Sequence, residues 1–94
     1  MKTTEASLAT AAFEISARAA AAWARHHGRR IEDVDGFSNL LRSRLKAGIH
    51  EALDDAREAV NCGRFDLAEL TFRASCVLIG IEAAKINFGV ASAA

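Results

Sequence analysis

The chain has no proline and only six glycines among its 94 residues. Nothing in it locks φ or removes a backbone donor inside a helix. Alanine, leucine, glutamate and arginine are abundant, and all four are good helix formers. Net charge is also missing, since twelve Lys and Arg balance twelve Asp and Glu. The molecule as a whole therefore offers no bulk attraction for nucleic acid or for an anionic membrane. There are only two cysteines, Cys62 and Cys76, too few for a disulfide framework. Placed at one helix end and well up the next helix, they stand roughly 15 Å apart, beyond disulfide reach. Free thiols fit a reducing cytosol. No apolar run is long enough to span a membrane, because Glu82 and Lys85 interrupt the most hydrophobic stretch. The first residues, Met1 to Glu5, carry no signal-peptide pattern. The expectation is one cytoplasmic domain, residues 1–94, with no membrane contact.

Half of the residues are apolar, 51%, but so many are alanine that the core is thin for that fraction. The periodicity predicts three helices, at about residues 4–27, 38–61 and 67–89. The first has Thr3 or Thr4 as N-cap. It carries Leu8, Ala12, Ile15, Ala19, Ala22 and Trp23 on one line, and Phe13, Ala17, Ala20 and Ala24 on a weaker one. Arg25, His26 and His27 suit its C-terminal dipole, and Gly28 its C′ position. Residues 29–36 read as a connector, with Ile31, Val34 and Phe37 tucked beneath it. The second helix has Ser38 or Asp35 as N-cap and a stripe through Leu41, Leu45, Gly48, Ala52, Ala56 and Ala59. Gly63 ends it.

The third helix has the strongest predicted start. Asp66 reads as its N-cap with Glu69 closing a capping box, and Phe65 with Leu70 as a hydrophobic staple. Gly63-Arg64-Phe65-Asp66-Leu67-Ala68, followed by Phe72 and the small Ser75, resembles the inter-helix turn of tetratricopeptide repeats. Similar turns occur in other antiparallel helix pairs, including three-helix MIT-type domains. The likeness spans about thirteen residues. It departs from the repeat pattern at Ala52, Asp55 and Ala59, and no second copy follows. It implies an antiparallel hairpin between the second and third helices and no functional residue.

The third helix also carries two apolar stripes. One is Leu67, Leu70, Ala74, Val77, Ile81, Ala84 and Phe88. The other is Phe72, Cys76, Ile79, Ala83, Ile86 and Val90. An edge helix needs one stripe, so this helix should be covered from two directions. A small-residue row, Cys76, Gly80 and Ala84, is expected to cross Gly48, Ala52 and Ala56 of the second helix closely. The β-branched Val77, Ile79 and Ile81 admit a strand instead, but one strand has no partner here. Three helices of matched length with short connections predict an all-α, three-helix up-down-up antiparallel bundle.

Motifs for chemistry are lacking. No His-Glu-x-x-His, paired Cys-x-x-Cys or Glu-x-x-His occurs, so no metal site or cofactor is expected. His50 and Asp54 share a helix face but make at most two weak ligands. No nucleophile has an adjacent base, and the chain is not expected to be an enzyme. Two charged sets stand out. Arg18, Arg25, Arg29, Arg30, Arg42, Arg44 and Lys46 are candidate basic contacts for a protein or nucleic acid. Glu51, Asp54, Asp55 and Glu58 are candidate acidic contacts for a protein. There is no helix-turn-helix spacing or basic-aromatic interleaving, so nucleic acid is the alternative partner. Phe72, Cys76, Ile79, Ala83, Ile86 and Val90 are the candidate homodimer interface. The expected function is a small non-enzymatic protein–protein interaction module, accessory or inhibitory. It would work by occluding or bridging a larger assembly, as a phage- or plasmid-encoded inhibitor of a host complex such as a CRISPR effector does. The alternative is a nucleic-acid-associated regulator using the basic first half.

Overall fold

The computed structural model describes residues 5–90, all in three helices and their connections. They are α1 (Glu5–His26), α2 (Val34–Asn61) and α3 (Phe65–Asn87). The expected all-α, three-helix bundle is the observed one. Thr3 and Thr4, the expected N-caps of α1, lie outside the described residues. The stretch from Ser75 to Ile81 is helical, not a strand.

All three helices end alike. Arg64 N–H bonds to the Ala59 carbonyl at 2.8 Å and Gly63 N–H to that of Val60 at 2.9 Å, with Gly63 at φ +73°. This is the Schellman pattern. The same pair of bonds recurs at Gly28 and Gly89. It turns the chain within three residues between α2 and α3, so these two run antiparallel as expected.

Helix starts differ from expectation. α2 begins at Val34, capped by Asp33, whose carboxylate accepts the Gly36 N–H at 2.9 Å. Neither Ser38 nor Asp35 is the cap. Gly36 belongs to the first turn, and a Cβ there would collide with the Asp33 carboxylate. Of the connector's apolar residues, Phe37 is buried and Ile31 packs against the core, but Val34 is exposed. α3 begins at Phe65, with Arg64 at the cap position and no side-chain cap bond. Asp66 sits inside the first turn, where it meets the helix dipole, so the capping box does not form. Phe65 and Leu70 are 67% and 65% exposed, so neither does the staple. The cause is the tight turn at Gly63, which starts the new helix before Asp66 is reached.

α3 is central. It packs along both α1 and α2, while α1 and α2 meet each other over a short stretch. The seam between α1 and α3 is built of small residues. On α1, Ala12, Ser16, Ala20 and Ala24 recur every four residues, all 2% exposed or less. On α3, Cys76, Gly80 and Ala84 do the same. The row expected to meet α2 therefore meets α1. Gly80 lies against the Ser16 backbone so closely that any Cβ would strike its carbonyl. Gly48 does face α3, but it receives the end of Ile79. The larger core groups, Phe37, Leu41 and Leu45, come from α2. Each contributes roughly 1.5–3 kcal/mol by burial, more than the alanines can.

Candidate protein-docking surfaces

The predicted dimer stripe is largely claimed within the chain. Cys76 and Ala83 have no exposure and belong to the core. Phe72 and Ile79 are half-buried against that core. Val90 is half-buried just past α3, and Ile86 is 42% exposed. What covers this stripe is α1 and α2.

The face left open is the other one. Leu67 is 45% exposed, Leu70 65% and Leu78 66%, with Ala74 exposed between them and Ile81 half-buried beyond. Their spacing of three, four, four and three keeps them on one side of α3. From residue 67 to 81 they run about 21 Å. The stripe read from the sequence joins Leu67, Leu70, Ala74 and Ile81 to Val77, Ala84 and Phe88 and leaves out Leu78, although Ala84 is fully buried and helical spacing puts Leu78 beside Ala74. The available signal was that α3 is apolar nearly all round. With two neighbours for three apolar sides, one side must remain open. The exposed Arg73–Glu69 ion pair, 3.5 Å, runs beside this face. On the α2 side Leu78 and Ile81 border a hollow of about 500 Å³ shared with Arg44 and Gly48.

A second apolar groove lies between α1 and α2, with a volume of about 660 Å³. Phe13, Leu45 and Ile49 line it, and Arg42 and Lys46 stand at its edge. The Arg42 guanidinium sits 4.9 Å from the centre of the Phe13 ring, a contact that holds the cation at the groove mouth.

The basic residues do not form one strip. Arg18 lies midway along α1, and Arg25, Arg29 and Arg30 gather at its C-terminal end. Arg42 and Lys46 border the α1–α2 groove, whereas Arg44 borders the α2–α3 hollow. Arg29 is already engaged, 5.4 Å from the Phe88 ring centre and bonded to the Phe88 carbonyl at 3.3 Å. Trp23 stacks on His27 at 4.1 Å and lies near-parallel to Phe88 at 6.1 Å. Both aromatics at this end are thus taken up by the protein, and neither is a bare stacking platform of the kind single strands use.

The acidic set is wholly exposed on the second half of α2. Asp54 pairs with Arg57 at 3.9 Å. Asp55 and Glu58 flank a shallow hollow beside Cys62. Among the described residues no group of three His, Cys, Asp or Glu could hold a metal. Both thiols are free, Cys62 exposed and Cys76 buried. Burial pushes the Cys76 thiol up from its ordinary pKa, leaving it protonated and inert. No described helix is long and apolar enough to cross a membrane. No protein-family model matches the chain, and no curated protein or solved structure matches it significantly.

Proposed function

We propose that this chain is a non-enzymatic protein-interaction module that pairs with itself through the outward face of α3. In that form it acts as an accessory or inhibitory factor, covering or bridging a larger partner. The observation that carries the reading is the open stripe Leu67, Leu70, Ala74 and Leu78 on the central helix. Leucines left open in a row along one side of a helix form a continuous apolar surface that a partner can cover. The stripe is also self-complementary. Two antiparallel copies crossing at Ala74 set Leu70 against Leu78 and Leu67 against Ile81. The small Ala74 sits at the dyad, where the helices come nearest. This is the isologous arrangement of a two-fold dimer.

A strip about 21 Å long and about 10 Å wide is smaller than the ~800 Å² per partner of a standard interface. The expected dimer is therefore weak and dependent on concentration. Sedimentation equilibrium from low to high micromolar should show the 10.0 kDa chain passing to a dimer. Leu70→Glu with Leu78→Glu should leave a monomer with unchanged helix content, because both side chains are exposed. A wild-type monomer at millimolar concentration rejects the reading.

A further inference from the structure

The α1–α2 groove is a second surface, lined by other residues than the open stripe of α3. It exists because α1 and α2 each pack on α3 and scarcely on each other. Its floor near the middle of α2 is Phe13, Leu45 and Ile49. Toward the α2–α3 turn, Leu53, Val60 and Phe72 line a further hollow of about 370 Å³. The α2 stretch from Arg42 to Val60 bounds both, a run of about 27 Å.

Charge on this groove is uneven. Arg42 and Lys46 stand one turn apart at one end, and neither takes part in an ion pair among the described residues. Glu14 is the carboxylate lining the same end. At the other end the charges are already matched within the chain, Arg57 with Asp54 and Glu69 with Arg73. The groove thus has an apolar floor and a cationic end.

We infer that this groove receives one amphipathic helix of a partner protein, carrying carboxylates where it meets Arg42 and Lys46. A helix is the rod whose width and straight apolar face match a slot between two helices, and about eighteen residues of it span the length. Its seating makes α1 and α2 neighbours of a fourth helix, the arrangement of a four-helix bundle. A single acyl chain fits less well. Small-molecule sites enclose most of their ligand, whereas here the floor residues Phe13, Ile49, Leu53 and Phe72 are half-buried along an open slot. The inference does not depend on self-association through α3.

The test uses two synthetic eighteen-residue peptides with the same leucine stripe, one flanked by glutamates and one by lysines. Binding is followed by anisotropy of labelled peptide and by amide shifts of the isotope-labelled full chain. The Leu70→Glu, Leu78→Glu variant is used, so that loss of dimerisation and loss of groove binding are read apart. The glutamate peptide should bind at least tenfold more tightly than the lysine peptide and weaken as salt is raised. Its shifts should centre on Phe13, Leu45, Ile49 and Leu53. Arg42→Glu with Lys46→Glu should invert the preference, circular dichroism confirming the fold. Should that variant lose structure, Lys46→Gln alone should still narrow the difference. Equal binding of the two peptides, no binding of either, or shifts confined to the outer face of α3 overturns the inference.

Discussion

The Ser16 hydroxyl donates a 2.8 Å hydrogen bond to the Cys76 main-chain carbonyl, joining α1 to α3 across 60 positions of sequence. Ser16 is polar, lies in the core and has no exposure. One turn on, Gly80 admits the Ser16 backbone where any side chain would collide. The pair shows how this bundle closes, with α1 and α3 meeting nearly backbone to backbone and polar contact replacing bulky packing.

Gly80 and Gly48 should respond in opposite ways to alanine. Helix propensity alone favours alanine by about 0.5–1 kcal/mol at each. At Gly80 the new Cβ meets the Ser16 carbonyl, carbon and α-carbon, which cannot move alone. Gly80→Ala should destabilise the fold by about 1–3 kcal/mol. At Gly48 the Cβ meets the Ile79 Cδ1 at 3.2 Å, the yielding tip of a side chain. Gly48→Ala should be neutral or up to about 1 kcal/mol more stable. Urea unfolding distinguishes them, and the reverse order is incompatible with this crossing.

Leucines on the two sides of the bundle differ more sharply. Leu41 has no exposure and is the largest fully buried side chain among the described residues, so Leu41→Ala should cost about 2–5 kcal/mol. Leu70 is 65% exposed, so Leu70→Ala should stay within about 0.5 kcal/mol. The comparison belongs at low micromolar concentration, where self-association does not add apparent stability.

The cap at Asp33 gives a local test. Asp33→Ala should cost about 1 kcal/mol, since it frees the Gly36 N–H. Asp66→Ala should cost about 0.5 kcal/mol or less, because it removes only a dipole contact. Gly36→Ala would displace the Asp33 carboxylate, so it should gain nothing from alanine's helix propensity. Thermal melts followed by circular dichroism would show a larger effect at Asp66 if that residue were the true cap.

The two thiols should separate by access and by pH. A thiol reagent at neutral pH should titrate Cys62 in the native protein and both cysteines in denaturant, given their exposed and buried positions. Burial raises the Cys76 pKa above its ordinary 9.0, so the folded state holds this proton more tightly than the unfolded state. Stability from this group is therefore complete below about pH 9 and falls as pH climbs from there through the raised value. Cys76→Ser or Cys76→Ala should remove that alkaline slope, whereas Cys62→Ser should not.

Some of the architecture was legible in local signals. Gly28 and Gly63 end helices because the reversal demands positive φ there, and a nearby glycine is a one-residue cue. The start of α3 misled because Asp66 and Glu69 have the right types and spacing for a cap. Whether a cap forms depends on where the preceding turn releases the chain, and Gly63 releases it earlier. The candidate site was half legible. That α3 needs cover on two sides followed from its apolar content. That Leu78 is open and Cys76 closed did not.

The sequence by itself determined an all-helical chain, three helices, one tight reversal at Gly63 and a central third helix. Those follow from propensity, from a 3.6-residue period and from glycine's access to positive φ, all of which act within a few residues. Only the tertiary structure decided how each helix is rotated about its own axis. In a chain rich in alanine and apolar on several faces, periodicity leaves that rotation nearly free. The fit of Gly80 beneath Ser16 selects it, turning Cys76 and Ala83 inward and leaving Leu67, Leu70 and Leu78 on the surface. A contact between residues so far apart in the chain leaves no local trace.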